Sequence, residues 1–346
     1  MLASPFNLRT ATDQEYMLFA EFSNRIRAES LPDDPPIPLE ELTQGWRNIP
    51  PHEDVIIWAI LNTEQSAMLG TGYLEILHTE DNSHVSYCNI SVLPIYRRQG
   101  LGRRLLAPAV EMAQREKRSL LIGSTNDRVP AGEIFMQRIG AQRGLEAATN
   151  QLCIADLNMG LISRWQSQAA ERASGFTIGF WDGPYPEEQI ETIVKLVDLT
   201  NQQPRGDLKL EDTHYTPEEL RQMEQQIMAR GTQRWTLYVA EPAQGKIAGY
   251  TEVFWNPNRP QILGQGMTAI YPEYRNRGLG RLLKAAMLEK VLRERPQVRF
   301  IRTGNADSNA PMLKINNELG FERYMSQIIW QVETAKVVEY LQQTNG

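Results

Sequence analysis

Two stretches of this chain repeat one another, and the repeat limits the possible folds more than any other feature. Ser91–Leu106 reads SVLPIYRRQGLGRRLL and Ala269–Lys284 reads AIYPEYRNRGLGRLLK. In register they share Pro94/Pro272, Tyr96/Tyr274, Arg97/Arg275, Gly100/Gly278, Leu101/Leu279, Gly102/Gly280 and Arg103/Arg281, at an offset of 178 residues. Upstream, Gly72-Tyr73-Leu74-Glu75 matches Gly249-Tyr250-Thr251-Glu252 at an offset of 177. Two matches at nearly one offset make each half a copy of one fold. A chain of 346 residues also has the length of two ordinary domains. We place one domain at 1–157, a linking helix at 158–174 and a second domain at 175–346.

The element pattern supports the duplication. In the second half, Phe176–Trp181 reads as a strand, and Pro186–Thr200 and Pro217–Arg230 read as helices. Thr216 suits an N-cap, with Pro217 at the first turn and Glu219 three residues on. Trp235–Glu241, Ile247–Trp255 and Gln261–Tyr271 are β-branched and aromatic runs that predict strands. Gly278–Arg295 is a predicted amphipathic helix with Leu282, Leu283, Ala286, Met287 and Lys290 on one face, stopped by Pro296. Val298–Thr303, Asn309–Leu319 and Tyr324–Val332 follow as strand, helix and strand. The first half repeats the order with a longer, Pro-rich connection over Leu31–Pro51. Met159–Ala173 predicts the linking helix, ending at Ser174-Gly175.

Each Arg-x-x-Gly-x-Gly copy follows a strand and opens a helix. A helix N-terminus carries unpaired N–H groups and the positive end of the macrodipole, so it binds phosphate. The glycines let the backbone approach an anion, and the arginines add charge-assisted hydrogen bonds. A pyrophosphate ligand suits this arrangement. The P-loop pattern is missing, and Leu105 and Leu283 stand where the dinucleotide fingerprint needs its third glycine. Gly264-x-Gly266-x-x-Ala269 imitates that fingerprint, but no helix is predicted to start there.

The strand-Pro-x-Tyr-Arg-x-x-Gly-Leu-Gly-helix segment resembles the acetyl-CoA site of the GNAT superfamily. Asn305–Met312 followed by Leu319-Gly320-Phe321 resembles that superfamily's second motif. The duplicated layout is similar to the tandem branch that includes mycothiol synthase. The resemblance implies two GNAT folds in tandem, α+β, each a mixed, mostly antiparallel sheet flanked by helices. It implies an N-acyltransferase that moves an acetyl group from acetyl-CoA to a primary amine by direct attack in a ternary complex. It implies a donor site at Thr268, Ala269, Ile270, Arg275, Asn276, Arg277, Gly278, Leu279, Gly280 and Arg281, with Asn305 and Asn309 from the second motif. The first half's counterpart is Val92, Arg97, Arg98, Gln99, Gly100, Leu101, Gly102 and Arg103. A backbone N–H near Thr268 or Ala269 would polarise the thioester carbonyl.

The chain departs from the family at the proton donor, a Tyr four residues before the terminal glycine. Asn316 stands there in the second half and Met136 in the first, and neither is a phenol-like acid. Tyr324 is close in sequence and is a further candidate. Val129 replaces the second-motif Asn in the first half, which makes that half the poorer catalyst. Glu252, mid-strand beside the Thr268–Ile270 strand, is the candidate base that takes the amine proton. Asp207 and Glu211, in the loop between the first two helices, are candidate contacts for a cationic acceptor. A non-catalytic acyl-CoA sensor or partner-binding pseudoenzyme is the rival reading.

Composition narrows the field further. A net charge of −6 argues against a general nucleic-acid binder. The four histidines have no metal-site spacing, and the two cysteines, Cys88 and Cys153, form no metal or disulfide framework. No metal, nucleic-acid or membrane partner is expected; the partner is a small-molecule or peptide amine, and the assembly a monomer or homodimer. No apolar run approaches a membrane span and the first residues do not resemble a secretion signal, so the expected location is the cytoplasm.

Overall fold

In a computed structural model the described residues are 2–172, 175–241 and 245–343. The elements are β1 (Ser4–Phe6), α1 (Asp13–Ser30), α2 (Leu39–Arg47), β2 (Glu53–Leu61), β3 (Met68–Leu77), β4 (Val85–Val92), α3 (Leu101–Arg115), β5 (Leu120–Asn126), α4 (Pro130–Arg138) and β6 (Gln142–Cys153). They continue as α5 (Met159–Arg172), β7 (Thr177–Asp182), α6 (Ile190–Val197), α7 (Pro217–Ala229), β8 (Gln233–Glu241), β9 (Lys246–Trp255), β10 (Ile262–Ile270), α8 (Leu279–Glu294), β11 (Phe300–Ala306), α9 (Ala310–Leu319), β12 (Glu322–Glu333) and α10 (Thr334–Gln343). The longer, Pro-rich 31–51 connection contains α2. Its Leu42 is buried, and apolar burial outweighs the local proline signal. Ser174, at the expected end of the linking helix, lies outside the described residues.

The chain forms two compact units that are not contiguous in sequence. The first comprises Met1–Glu146, Arg205–Asp212 and Ser326–Gly346; the second comprises Ala147–Pro204 and Thr213–Met325. The first unit therefore contains the end of β12, and the second the end of β6. Gln327–Glu333 of β12 pairs antiparallel with β5, and Ala147–Cys153 of β6 pairs antiparallel with β11. Each half of the sequence supplies the last strand of the other half's sheet. The strand order is β1-β2-β3-β4-β5-β12 in the first unit and β6-β11-β10-β9-β8-β7 in the second. Each sheet is antiparallel except for one parallel pair, β4/β5 and β10/β11.

Both sheets bury one face against the helix that follows the motif. Leu105, Ala109 and Ala113 of α3 are fully buried against Leu74 and Ile76 of β3. In α8, Leu279, Leu283, Ala285, Met287 and Val291 enter the core with Val239, Ala248 and Ile301. This face is rotated from the sequence expectation: Leu282, Ala286 and Lys290 are only half-buried, whereas Lys284 is buried. Thr216 and Glu219 form the expected capping box at α7, and Thr12 and Glu15 form one at α1.

Trp330 shows how far the first unit depends on β12. It is 2% exposed, stands opposite Gly123 in β5, and its indole N–H donates to Thr125 Oγ1 at 2.8 Å. We predict that Trp330→Ala destabilises the protein by about 3–5 kcal/mol in urea unfolding. Residues 1–157 expressed alone lack this strand and should show no cooperative unfolding transition.

Candidate active site

The loop between strand and helix has the same backbone in both units. Arg98 and Asn276 take φ of 62° and 64°, and Gly100 and Gly278 follow at 78° and 81°. A left-handed non-glycine residue two positions before a left-handed glycine is an uncommon pair, and here it occurs twice in register. A Cβ on Gly100 or Gly278 would meet nothing within 4 Å, so conformation rather than crowding selects glycine. The space before the loop is open. The first bond along α8 runs from Leu282 N–H to Gly278 O, so the N–H groups of Leu279, Gly280 and Arg281 precede the helical ladder. These features fit a pyrophosphate.

The arginines of the motif differ in what they hold. Arg275 Nε–H donates to Ile270 O at 3.0 Å, and Arg97 Nε–H donates to Val92 O at 2.9 Å. Each ties its loop back to its strand end. Their outer nitrogens differ. Arg275 donates to the neutral Gln202, whereas Arg97 forms a two-pronged ion pair with Glu29. Arg281 pairs with Glu318 at 2.8 Å, and Arg277 lies 5.8 Å from the Tyr274 ring. Arg103 donates to Leu341 O at 2.5 Å and Gln99 to Ile95 O at 3.2 Å, while Arg98 is exposed. Leu101 and Leu279 are buried beneath the two loops.

Next to each loop the sheet splits. β10 pairs with β11 only over Ile262–Gly264, then diverges. Against β9 its register jumps between Gln265 and Thr268, inserting one extra residue. This bulge is held by Gln265, whose amide donates to Thr251 Oγ1, Glu252 O and Gly266 O, and by the Thr251–Thr268 hydroxyl contact at 2.7 Å. Ala269 pairs with Tyr250 beyond it. A cleft of about 850 Å³ results, lined by Gln265–Ile270, the 274–281 loop, Thr303–Asn305 and the start of α9. Alternate N–H groups of β10 beyond Gly264 face this gap without a neighbouring strand. In the first unit β4 leaves β5 after Tyr87, its register to β3 shows no shift, and the corresponding cleft is about 420 Å³. Glu29 and Tyr340 line that smaller cleft.

The two asparagines of the second motif have separate tasks. Asn309 caps α9, accepting from Met312 N–H at 3.4 Å; Val129 at the matching position caps nothing with its side chain. Asn305 lines the cleft, and its carbonyl accepts from Asn316 at 2.8 Å and Asn150 at 3.3 Å. Asn316 is 1% exposed and turned into the core, off the cleft lining. Tyr324 also lies off the lining, its ring stacked 4.3 Å from the Arg302 guanidinium.

Glu252 sits behind the bulge. A Cβ on Gly266 would come within 2.9 Å of its Cγ, so glycine there is what gives the carboxylate its place. Tyr185 O–H donates to Glu252 at 2.9 Å. The Arg234 guanidinium lies 3.4 Å over the Tyr185 ring and is ion-paired with the buried Glu224. Burial pushes the Glu252 carboxyl above the ordinary carboxylate range, opposed by Arg234 and by hydrogen bonds from Tyr185 and the Met267 amide. Its counterpart Glu75 accepts from Tyr73, beside the first unit's helix α1.

Asp207 and Glu211 are not gathered with these groups. Their segment belongs to the first unit, where Asp207 N–H donates to Gly144 O at 2.7 Å and Glu211 accepts from Asn82 N–H at 2.9 Å. Sequence reasoning missed Tyr185, Arg234 and Gln202, none of which has a spacing signal, and it met Gly266 only as part of a pattern that imitates the dinucleotide fingerprint. Cys88 is buried, Cys153 half-buried, and both are free thiols. Among the described residues, no cluster of three His, Cys, Asp or Glu side chains could hold a metal, and no helix is long and apolar enough to cross a membrane.

Because burial raises Glu252, its contribution to folding is present below the carboxyl's unfolded value and is lost as pH rises through the folded one. Glu252→Gln should therefore raise Tm relative to wild type at about pH 8, with the difference closing by about pH 4, in paired thermal melts.

Comparisons place this geometry. The acetyltransferase (GNAT) family matches residues 19–140 and again 196–321. A tandem GNAT protein from the clavulanic acid biosynthesis pathway is 25% identical, covering 96% of this chain and 98% of its own at a TM-score of 0.75. A GCN5-related N-acetyltransferase from Sphaerobacter thermophilus has the same fold at 14% identity, with 96% and 97% coverage and a TM-score of 0.66. No curated protein matches the chain. The family match spans more than half of the sequence and falls once on each copy of the helix-start loop, so the chain belongs to the acetyltransferase (GNAT) family, whose general activity is acyl-CoA-dependent acetyl transfer.

Proposed function

We propose that the second unit binds acetyl-CoA and transfers its acetyl group to a primary amine by direct attack in a ternary complex. The observation that carries this reading is the 275–281 loop, whose free N–H groups open onto a cleft made by the parting of β10 and β11. The backbone of Asn276–Arg281 would hold the pyrophosphate, and the unpaired edge of β10 would hydrogen-bond the pantetheine amides as an added strand. A thioester supplies an electrophilic carbonyl and a moderate leaving group. N–H groups near Thr268 and Ala269 would receive the charge that develops on the carbonyl oxygen.

Glu252 is the proposed base. Its raised pKa brings it closer to the range in which a carboxyl exchanges protons efficiently, and Tyr185 fixes its orientation. The carboxylate also favours a cationic acceptor. The 25%-identical relative comes from the clavulanic acid biosynthesis pathway by its description, which supports a small-molecule acceptor over a protein.

The first unit keeps the loop but not its electrostatics. Glu29 neutralises Arg97 and stands in the cleft, where a phosphate would meet its charge. We therefore assign the donor site to the second unit and a scaffold role to the first.

Calorimetric titration of acetyl-CoA should show one site, lost in Gly278→Asp and retained in Gly100→Asp. Two sites would overturn the scaffold role, and no binding would overturn the donor site. Glu252→Gln should lower kcat about 10²–10⁴-fold on any accepted amine. In wild type, kcat/KM should rise with pH through a midpoint above the ordinary carboxyl value; a profile unchanged by the substitution would remove Glu252 as base.

A further inference from the structure

Lys284 is a charge in an apolar place. It lies on α8, one turn after Gly280, and is 2% exposed. Leu283 and Ala285 flank it in sequence and Leu288 follows it one turn on, all core residues. The register-equivalent residue of the first unit is Leu106, which lines a small cavity between β4 and β5 together with Asn89, Ile90, Gly123 and Ser124. One copy of the fold thus fills the fork of its parting strands with a leucine, and the other places an ammonium there.

That ammonium has no carboxylate partner among the described residues. The aromatic face near it is the Phe321 ring, 5.8 Å away. The charged groups named here on α8 and on neighbouring elements are engaged with other partners or exposed. Arg281 is held by Glu318, Arg302 of β11 by Gln151, Arg234 of β8 by Glu224 and Glu252 of β9 by Tyr185, while Arg164 of α5 is exposed and β10 has no ionisable side chain. Burial alone pushes Lys284 down to about 8. Leaving a cation buried and unpaired is costly, so a position that keeps one invites a functional explanation. Lys284 also lines the 850 Å³ cleft, beside Thr303, Gly304 and Asn305.

The cleft needs such a group. An amine that attacks the thioester forms a C–N bond as the C–S bond breaks, and the sulfur departs with the electron pair. The amine's proton passes to Glu252 or solvent, and the thiolate requires a proton or a counter-charge of its own. Asn316 is a buried amide with no acidic proton, and Tyr324 lies off the cleft lining, stacked on Arg302, so neither supplies it.

Resting on the donor-site reading above, we infer that Lys284 is the group that meets the departing sulfur, pairing with the thiolate and returning a proton to it. A lysine near the titration range of an ordinary thiol can do both.

The experiment compares CoA with desulfo-CoA, which has hydrogen in place of the thiol, by calorimetry on the full chain. Wild type should bind CoA roughly tenfold or more tightly than desulfo-CoA at about pH 8, the value of a charge-assisted contact. Lys284→Met should lose that preference while keeping its desulfo-CoA affinity, which also reports that the cleft is folded. Lys284→Arg should keep it in part. An equal preference in wild type and Lys284→Met, or no preference in wild type, would overturn the inference while leaving the donor site standing. Failure of wild type to bind either ligand would overturn both.

Discussion

The parting of two parallel strands governs this protein. β10 stays with β11 for three residue pairs and then leaves it, and every proposed element of the donor site depends on that divergence. A continuous sheet would satisfy the N–H groups of β10, bury Lys284 against closed backbone and leave the loop before α8 facing no cleft. Two devices keep the strands apart. The bulge at Gln265–Thr268 bends β10 and is fixed by three hydrogen bonds from one glutamine amide. Arg275 then holds the loop to the last residue of the strand.

Duplication supplies this architecture twice, and the copies have diverged in electrostatics more than in backbone. The left-handed angles of the two loops agree within 3°. What differs is what faces each loop: Gln202 in one unit and Glu29 in the other. Lysine replaces leucine at the strand fork, and a capping asparagine replaces valine before the following helix. Each change leaves the second unit more open to an anion or better furnished for chemistry. With the last strands exchanged, neither sheet is complete without a strand from the other half of the sequence.

Charge held behind the bulge follows the same economy. Glu252 occupies space that only a glycine at 266 leaves open, and it is oriented by Tyr185, which is covered in turn by Arg234 on Glu224. The chain spends stability to hold a carboxylate out of water, and such sites are where pKa values are tuned for proton transfer.

The sequence by itself determined the duplication, most of the order of elements, the helix starts at Gly100 and Gly278 and the capping box at Thr216. All of these are written in short-range terms: a repeat in register, periodicity, a left-handed glycine, a side chain three residues from its partner. It also marked Glu252 through its twin Glu75. Only the tertiary structure decided that Asn316 faces the core, that Asp207 and Glu211 dock on the first unit, that β6 and β12 change places and that Lys284 reaches a cleft. Those outcomes depend on which strand pairs with which and on how a helix is rotated against its sheet. Non-local contacts set both, and no short-range pattern encodes them. Lys284 was within reach, as a lysine where the repeat has leucine, but its meaning required knowing what the leucine packs against.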